Sequence, residues 1–460
     1  MTVIELGEIS SGTRPPAVRP VAPRDLRRIL VAVVALLTLL GVTGSARPEP
    51  QSMRTLWRTP TSQEPFTLRG DTLYIQRSGR APALEARAIA DGRVLWQAPL
   101  DQPVGYVNVE VPGLVLVPAT EQLADGSEQV QSIVALDAAT GRERWRHRGE
   151  LYAQTPDAML LAEWSPRGGA VLRLHLARVA DGTDIWSYTP TGPGAASTIS
   201  PAGGTPGAPT DLIVIDRSGR VELRSLADGK VKRTGKVPWL SPEANTDSYG
   251  YAPVIGDVFF AVAVENGTMR VTAHDLATLR PLWEQFTDNG DLGGLFECGQ
   301  MLCRGSEQTG IEALDPRTGV ARWRSQGWSY GTMLDATRMY VESHSGAGNG
   351  IVDVRTGEVI AKFPTTMVVM DPSADRLILM AITREARPRM AVYNLEPDNS
   401  LRLAGALPQA GGDQGCQLSG RRLVCLFHRD LKAGEPPARP ERSDIPFDPQ
   451  DQEIVVTDVG

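Results

Sequence analysis

The chain has 460 residues, 41% of them apolar and 22% charged, and a formal net charge of -7. Apolar residues spread along the whole length exclude disorder throughout, and 47 basic against 54 acidic residues, with no Lys/Arg stripe among aromatics, speak against a nucleic-acid binder. Scattered rather than blocked, the 46 Gly and 35 Pro imply many turns and few long helices.

Residues 1–28 form a Pro-containing tail in which Arg14, Arg19, Arg24, Arg27 and Arg28 outnumber Glu5, Glu8 and Asp25. Residues 29–46 follow as 18 uncharged, strongly apolar residues. A helix there spans about 27 Å at 1.5 Å per residue, enough for a thin bilayer. The Arg cluster before it belongs on the cytoplasmic side. The expected layout is a cytoplasmic tail, a single-pass signal anchor at 29–46, a linker at 47–51 and an extracytoplasmic remainder. The alternative is cleavage after Ala46, where Gly44 and Ala46 supply small residues, which leaves a secreted protein.

A repeat runs through the exported part. Residues 133–147 read IVALDAATGRERWRH and residues 311–325 read IEALDPRTGVARWRS. Ala, Asp, Thr and Gly stand at fixed distances before Trp in both: Ala135, Asp137, Thr140, Gly141 and Trp145, then Ala313, Asp315, Thr318, Gly319 and Trp323. Weaker copies lead to Trp96, Trp186 and Trp283, the last with Leu279 in the Gly slot. Two more turns, Asp228-Gly229 and Thr356-Gly357, have Arg233 and Ala361 in the Trp slot, and residues 393–403 form a degenerate eighth copy. Successive slots from 96 to 361 lie 38 to 50 residues apart, the size of one four-stranded propeller blade.

Each copy reads as strand, tight turn, strand. Asp accepts backbone N–H groups as the turn starts, Gly takes a positive φ, and Trp lies flat between blades with its indole N–H near a backbone acceptor. An apolar run before each copy, as at 114–117 and 258–264, supplies an inner strand. The residues around Trp57 look like a last strand without its blade, and 423–427 and 454–459 like inner strands without a last one. The two ends are therefore expected to complete one blade. The expected fold is all-β, a propeller of about eight four-stranded blades over residues 52–460, with seven or nine open, preceded by one transmembrane helix.

The Ala-x-Asp-x-x-Thr-Gly-x-x-x-Trp pattern resembles the tryptophan-docking motif of the pyrroloquinoline-quinone-like β-propeller superfamily. That resemblance implies docking roles for Trp57, Trp96, Trp145, Trp186, Trp283 and Trp323. The superfamily holds quinoprotein alcohol dehydrogenases and also non-enzymatic propellers, among them the scaffold lipoprotein of the outer-membrane β-barrel assembly machinery. One membrane segment followed by a Trp-docked propeller is similar to the layout of membrane-anchored members from high-GC Gram-positive, actinobacterial organisms.

Cys298 and Cys303 flank residues 299–302, and Cys416 and Cys425 flank a Ser419-Gly420 turn. In an oxidising space each pair can bridge across its own hairpin; a four-Cys zinc site and free thiols are the alternatives. His147, His175, His274, His344 and His428 fall on different repeats without metal-ligand spacing and read as solvated or turn residues. Residues 288–291 (DNGD) lack the further oxygens of a calcium loop. Quinone enzymes of the superfamily clamp their cofactor against a disulfide between adjacent Cys, and no adjacent pair occurs in this sequence. The reading is thus of no catalytic, cofactor or metal site. It is of a non-catalytic binding or scaffold module at the membrane, meeting an envelope protein or cell-wall partner through its loops, with 189–210 and 433–452 as the long ones. A quinone-dependent dehydrogenase and a small-ligand sensor using the central channel are the alternatives.

Overall fold

Successive side chains of the apolar runs leave the backbone in opposite directions, and both directions are buried. Leu73 and Ile75 pack with Val424, Leu426, Ile454 and Val456, while Tyr74 between them packs with Trp96, Val115 and Val134. A sheet apolar on both faces needs a neighbour on each side, and a ring of sheets satisfies every member. The apolar core accordingly consists of separate clusters, each drawn from two adjacent sheets.

The computed structural model describes residues 53–460 with interruptions, the longest at 429–451 and 240–248. The tail at 1–28, the apolar stretch at 29–46, the linker at 47–51, residues 433–451 and most of 288–291 lie outside the described residues. Among the described residues all regular elements are strands, and no helix is long and apolar enough to cross a membrane.

The strands form nine blades among the described residues, one more than the eight expected and within the range left open. Blade 1 is composite: Cys416–Ser419, Arg422–His428 and Gln452–Asp458 run from the channel outwards, and Arg54–Thr61 is its outermost strand. Arg54–Thr61 pairs antiparallel with Gln452–Asp458, and Arg58 meets Glu453 at 3.1 Å, so segments from the two ends close the ring. The remaining blades follow in chain order. The degenerate copy at 393–403 belongs to a full blade, Thr366–Asp371, Arg376–Ile382, Arg389–Leu395 and Leu401–Pro408, which is why the count is nine.

One expected loop is corrected. Within 189–210, residues Ala196–Ala202 form the innermost strand of blade 5. With Ala196, Ser197, Thr198, Ser200 and Pro201 among its seven residues, its composition imitates a linker. At the other predicted loop, Gln452 already begins the third strand of blade 1 and is buried.

The histidine reading is corrected as well. His274 and His175 are 2% and 5% exposed, not solvated. His274 lies in the third strand of blade 6, Thr268–Asp275, stacked on Phe259 with its Nδ1 at 3.3 Å from the Leu279 carbonyl. Burial holds its pKa below the ordinary value of 6.5, against a smaller opposing effect of that hydrogen bond. The unfolded chain therefore binds a proton that the folded site refuses, and stability falls as pH drops below about 6.5. Between pH 7 and pH 5 the wild-type chain should lose more stability than His274→Gln, read as urea midpoints at each pH. Parallel loss in the two would show that His274 does not drive the acid sensitivity.

Candidate functional site

The docking residues come together at the seams. Asp137 Oδ1 accepts the Ala139 and Thr140 N–H groups at 3.1 and 3.0 Å and the Thr140 hydroxyl at 2.9 Å. Arg144 Nε donates to its other oxygen at 3.0 Å, and these bonds, the Arg144 one first, hold the carboxyl below the usual carboxylate range. Asp315, Thr318 and Arg322 repeat the arrangement. Each turn ends in glycine at positive φ, +69° at Gly141 and +68° at Gly319.

The indole of the preceding blade rests on that glycine. Trp96 lies against Gly141, and its Nε1 donates to the Ala138 carbonyl at 2.9 Å. The same pair of contacts joins Trp57 to Gly92 and Ile89, Trp145 to Gly182 and Val179, and Trp186 to Gly229 and Leu226. Trp283 meets Gly319 and Pro316, and Trp323 meets Gly357 and Val354. Ala135 and Ala313 sit opposite their own Trp across the blade, fully buried. These residues position blades and leave the two faces of the ring to contact anything else.

Both local disulfides form, Cys298–Cys303 and Cys416–Cys425, and no free cysteine remains. Each ties the innermost strand of its blade to the second, in blade 7 and blade 1. They thus brace hairpins whose turns surround the channel.

At that end of the ring the first-to-second-strand turns of blades 2 to 7 enclose a cavity of about 830 Å³. Pro112, Pro156, Pro201 and Pro209 stiffen the rim, and Arg69, Glu110 and Glu297 carry its charge. Gln154 Nε2 donates to Glu110 Oε2 at 3.1 Å, which orients that carboxylate. Glu297 adjoins Cys298; it opens to the channel, yet the surrounding walls displace enough water to raise its carboxyl above the usual range. A second cleft of about 250 Å³ shares Arg69 and Glu110 and adds Tyr106, which is exposed. The mouth offers hydrogen-bonding and acidic groups on rigid, partly apolar turns, a chemistry of binding. The sequence reading missed it because turn residues carry no periodic signal; Pro201, Ala202 and Pro209 of the 189–210 segment were the visible hint.

Of the histidines, His147 and His175 meet through Asp184 at the seam between blades 3 and 4. His344 and the side chain of His428 lie outside the described residues.

The family model described as outer membrane protein assembly factor BamB matches residues 48–162 and 127–325, more than half of the chain. The chain belongs to that family of pyrroloquinoline-quinone-like propellers. The matched region ends with the outermost strand of blade 7, Ala321–Ser325. Among solved structures, BamB from Moraxella catarrhalis is 15% identical, with 72% of this chain and 95% of that chain covered and a TM-score of 0.40. The computationally designed Ika8 protein is 10% identical, with 74% and 94% covered and a TM-score of 0.41. Quinohemoprotein alcohol dehydrogenase from Comamonas testosteroni is 11% identical, with 72% and 73% covered and a TM-score of 0.38. No curated protein matches the chain.

Proposed function

We propose that the protein is a non-catalytic binding or scaffold module for an envelope protein or cell-wall partner. In this reading it is held at the cell membrane by residues 29–46, with residues 1–28 cytoplasmic and the propeller outside, in an actinobacterial-type member of the family. The observation that carries the proposal is that the motif residues are spent on docking blades, while the turns at the channel mouth present charged and hydrogen-bonding groups to solvent. Membership of a family described as an outer membrane protein assembly factor supports a protein partner. Two local disulfides support an oxidising compartment.

The test is site-specific photocrosslinking in cells at native expression. A photoreactive residue replacing Gln300, at the mouth, should give a discrete adduct in the membrane fraction, and one replacing the exposed Val231 on the outermost strand of blade 5 should not. Equal labelling from the two positions, or none from Gln300, sinks the proposal. The volume of the mouth lies within the range of small-molecule sites, which favours a sensor as the second reading. That reading predicts thermal stabilisation by a small-molecule extract instead of an adduct.

A further inference from the structure

Four of the seams share a polar layout that can be written in repeat coordinates, whereas at others, such as that of Ala98 and Val134, the same positions are apolar. A residue two places after the docking slot of one blade faces a charged group of the next, held by the residue eleven places before that blade's own slot. Thr59 meets Arg77, which binds Glu85; Tyr188 meets Glu222 and Arg224; Gln285 meets Arg304, which binds Glu312. In each of these an Arg guanidinium, which has no lone pair to offer a cation, saturates the carboxylate.

The seam between blades 3 and 4 replaces that chemistry. His147, two places after Trp145, stands on the outermost strand of blade 3, and His175, eleven before Trp186, on the third strand of blade 4. Asp184 bridges them, its Oδ1 at 2.9 Å from His147 Nε2 and its Oδ2 at 3.0 Å from His175 Nδ1. Among the described residues this is the one group of three such side chains whose ligand atoms converge, all within 4.8 Å of one another.

We propose that His147 Nε2, His175 Nδ1 and the Asp184 carboxylate bind a divalent transition cation of the zinc class, clasping blade 3 to blade 4. Two imidazoles and a carboxylate match the donor preference of such ions. Bonds of about 2.0–2.2 Å to a tetrahedral ion place ligand atoms about 3.3 Å apart, so small rotations of His147 and of the half-exposed Asp184 complete the geometry.

The independent support is the state of the other ring nitrogens. A ligating imidazole must hold its remaining N–H on an acceptor, which sets its tautomer and orientation. His147 Nδ1 lies 2.6 Å from the Arg148 carbonyl, and His175 Nε2 lies 2.6 Å from Glu163 Oε1. Both acceptors are therefore in place, one backbone and one carboxylate. His175 and His147 are 6% and 13% exposed at the side chain while Asp184 is 38% exposed, which leaves the fourth position toward water.

The full-length chain, purified without a histidine tag and stripped with chelator, is titrated with Zn²⁺ against a chromogenic competitor and with Co²⁺ by absorption. The expected result is one ion per chain, a rise in melting temperature and a Co²⁺ ligand-field spectrum. His147→Gln should weaken Zn²⁺ binding by about 100-fold or more and abolish the spectrum, and Glu163→Leu, which leaves the His175 ring without its acceptor, should weaken it by about 10- to 100-fold. His344→Gln should bind as wild type does. Melting curves of the metal-free variants establish that they fold; if His147→Gln folds and binds Zn²⁺ as tightly as wild type, or if His344→Gln abolishes binding, the site is not the one proposed. A wild-type chain that shows no Co²⁺ spectrum leaves only a hydrogen-bonded His–carboxylate cluster and equally overturns the proposal.

Discussion

Gly141→Ala should destabilise the chain by about 3 kcal/mol or more, and should cost only about 1 kcal/mol once Trp96 has become Ala. A Cβ at Gly141 would stand 2.5 Å from Trp96 Cε3 and 2.7 Å from Cδ2. Contacts that short force the indole to move. It has nowhere to go, because Trp96 is buried among Tyr74, Val115 and Val134 and its Nε1 is fixed on the Ala138 carbonyl. Either the hydrogen bond breaks or the seam opens. The left-handed φ of +69° adds about 1–2 kcal/mol for any residue with a Cβ, and this part alone persists when the indole is gone. Trp96→Ala by itself should cost about 3–5 kcal/mol for the lost burial. The double-mutant cycle thus carries a coupling of about 2 kcal/mol, read from urea midpoints of the four chains. Additive costs would mean that the glycine serves the turn alone and not the indole.

The chain already contains the control for this argument. Among the described residues two non-glycine side chains adopt positive φ, Leu279 at 56° and Asn399 at 64°. Both stand in the Gly slot, and in both cases the preceding blade has no Trp: Arg233 precedes Leu279 and Ala361 precedes Asn399. Leu279 itself fills the space, packing against Gly235 and joining Ile213, Ile215 and Phe259 in the cluster between blades 5 and 6. Loss of the indole on one blade and loss of the glycine on the next are one event, seen from two sides of a seam.

This pairing also shows what could be read from sequence. The slots were legible because each motif residue has a single geometric duty: Asp137 caps the turn, Gly141 admits the indole, Trp145 docks. The innermost strands were less so: Ala196–Ala202, with Ser, Thr and Pro among its seven residues, has the composition of a linker, and Glu150–Gln154 has only five residues. The ninth blade was undercounted because eight copies and the composite exceed the usual number of blades, and the copy at 393–403, with neither Trp nor Gly, is the most degenerate of them. His147 and His175 were set aside for lying on different repeats. In repeat coordinates they occupy facing positions of adjacent blades, so separation along the chain was the wrong measure.

Ring closure carries the other large effect. Val456→Asp should destabilise the chain by about 4 kcal/mol or more, whereas Val231→Asp should change stability by no more than about 0.5 kcal/mol. Val456 is fully buried in the third strand of blade 1, between Trp57 of the outermost strand and Val424 of the second. Its side chain belongs to the cluster with Leu73, Ile75 and Ile89 of blade 2. A carboxylate there has no cationic partner and faces an apolar seam. Val231 carries the same side chain on an outermost strand, 44% exposed and flanked by Lys230 and Lys232, where a carboxylate is welcome. The site of the damage matters as much as its size. The strand that Val456 stabilises is the one that receives Arg54–Thr61, a segment some 395 residues away, so weakening it releases the outermost strand and exposes both neighbouring seams. Limited proteolysis of Val456→Asp should therefore cut first within residues 53–62, with the Cys416–Cys425 hairpin surviving longer. A variant that loses no more stability than Val231→Asp would show that blade 1 is not what keeps the ring shut.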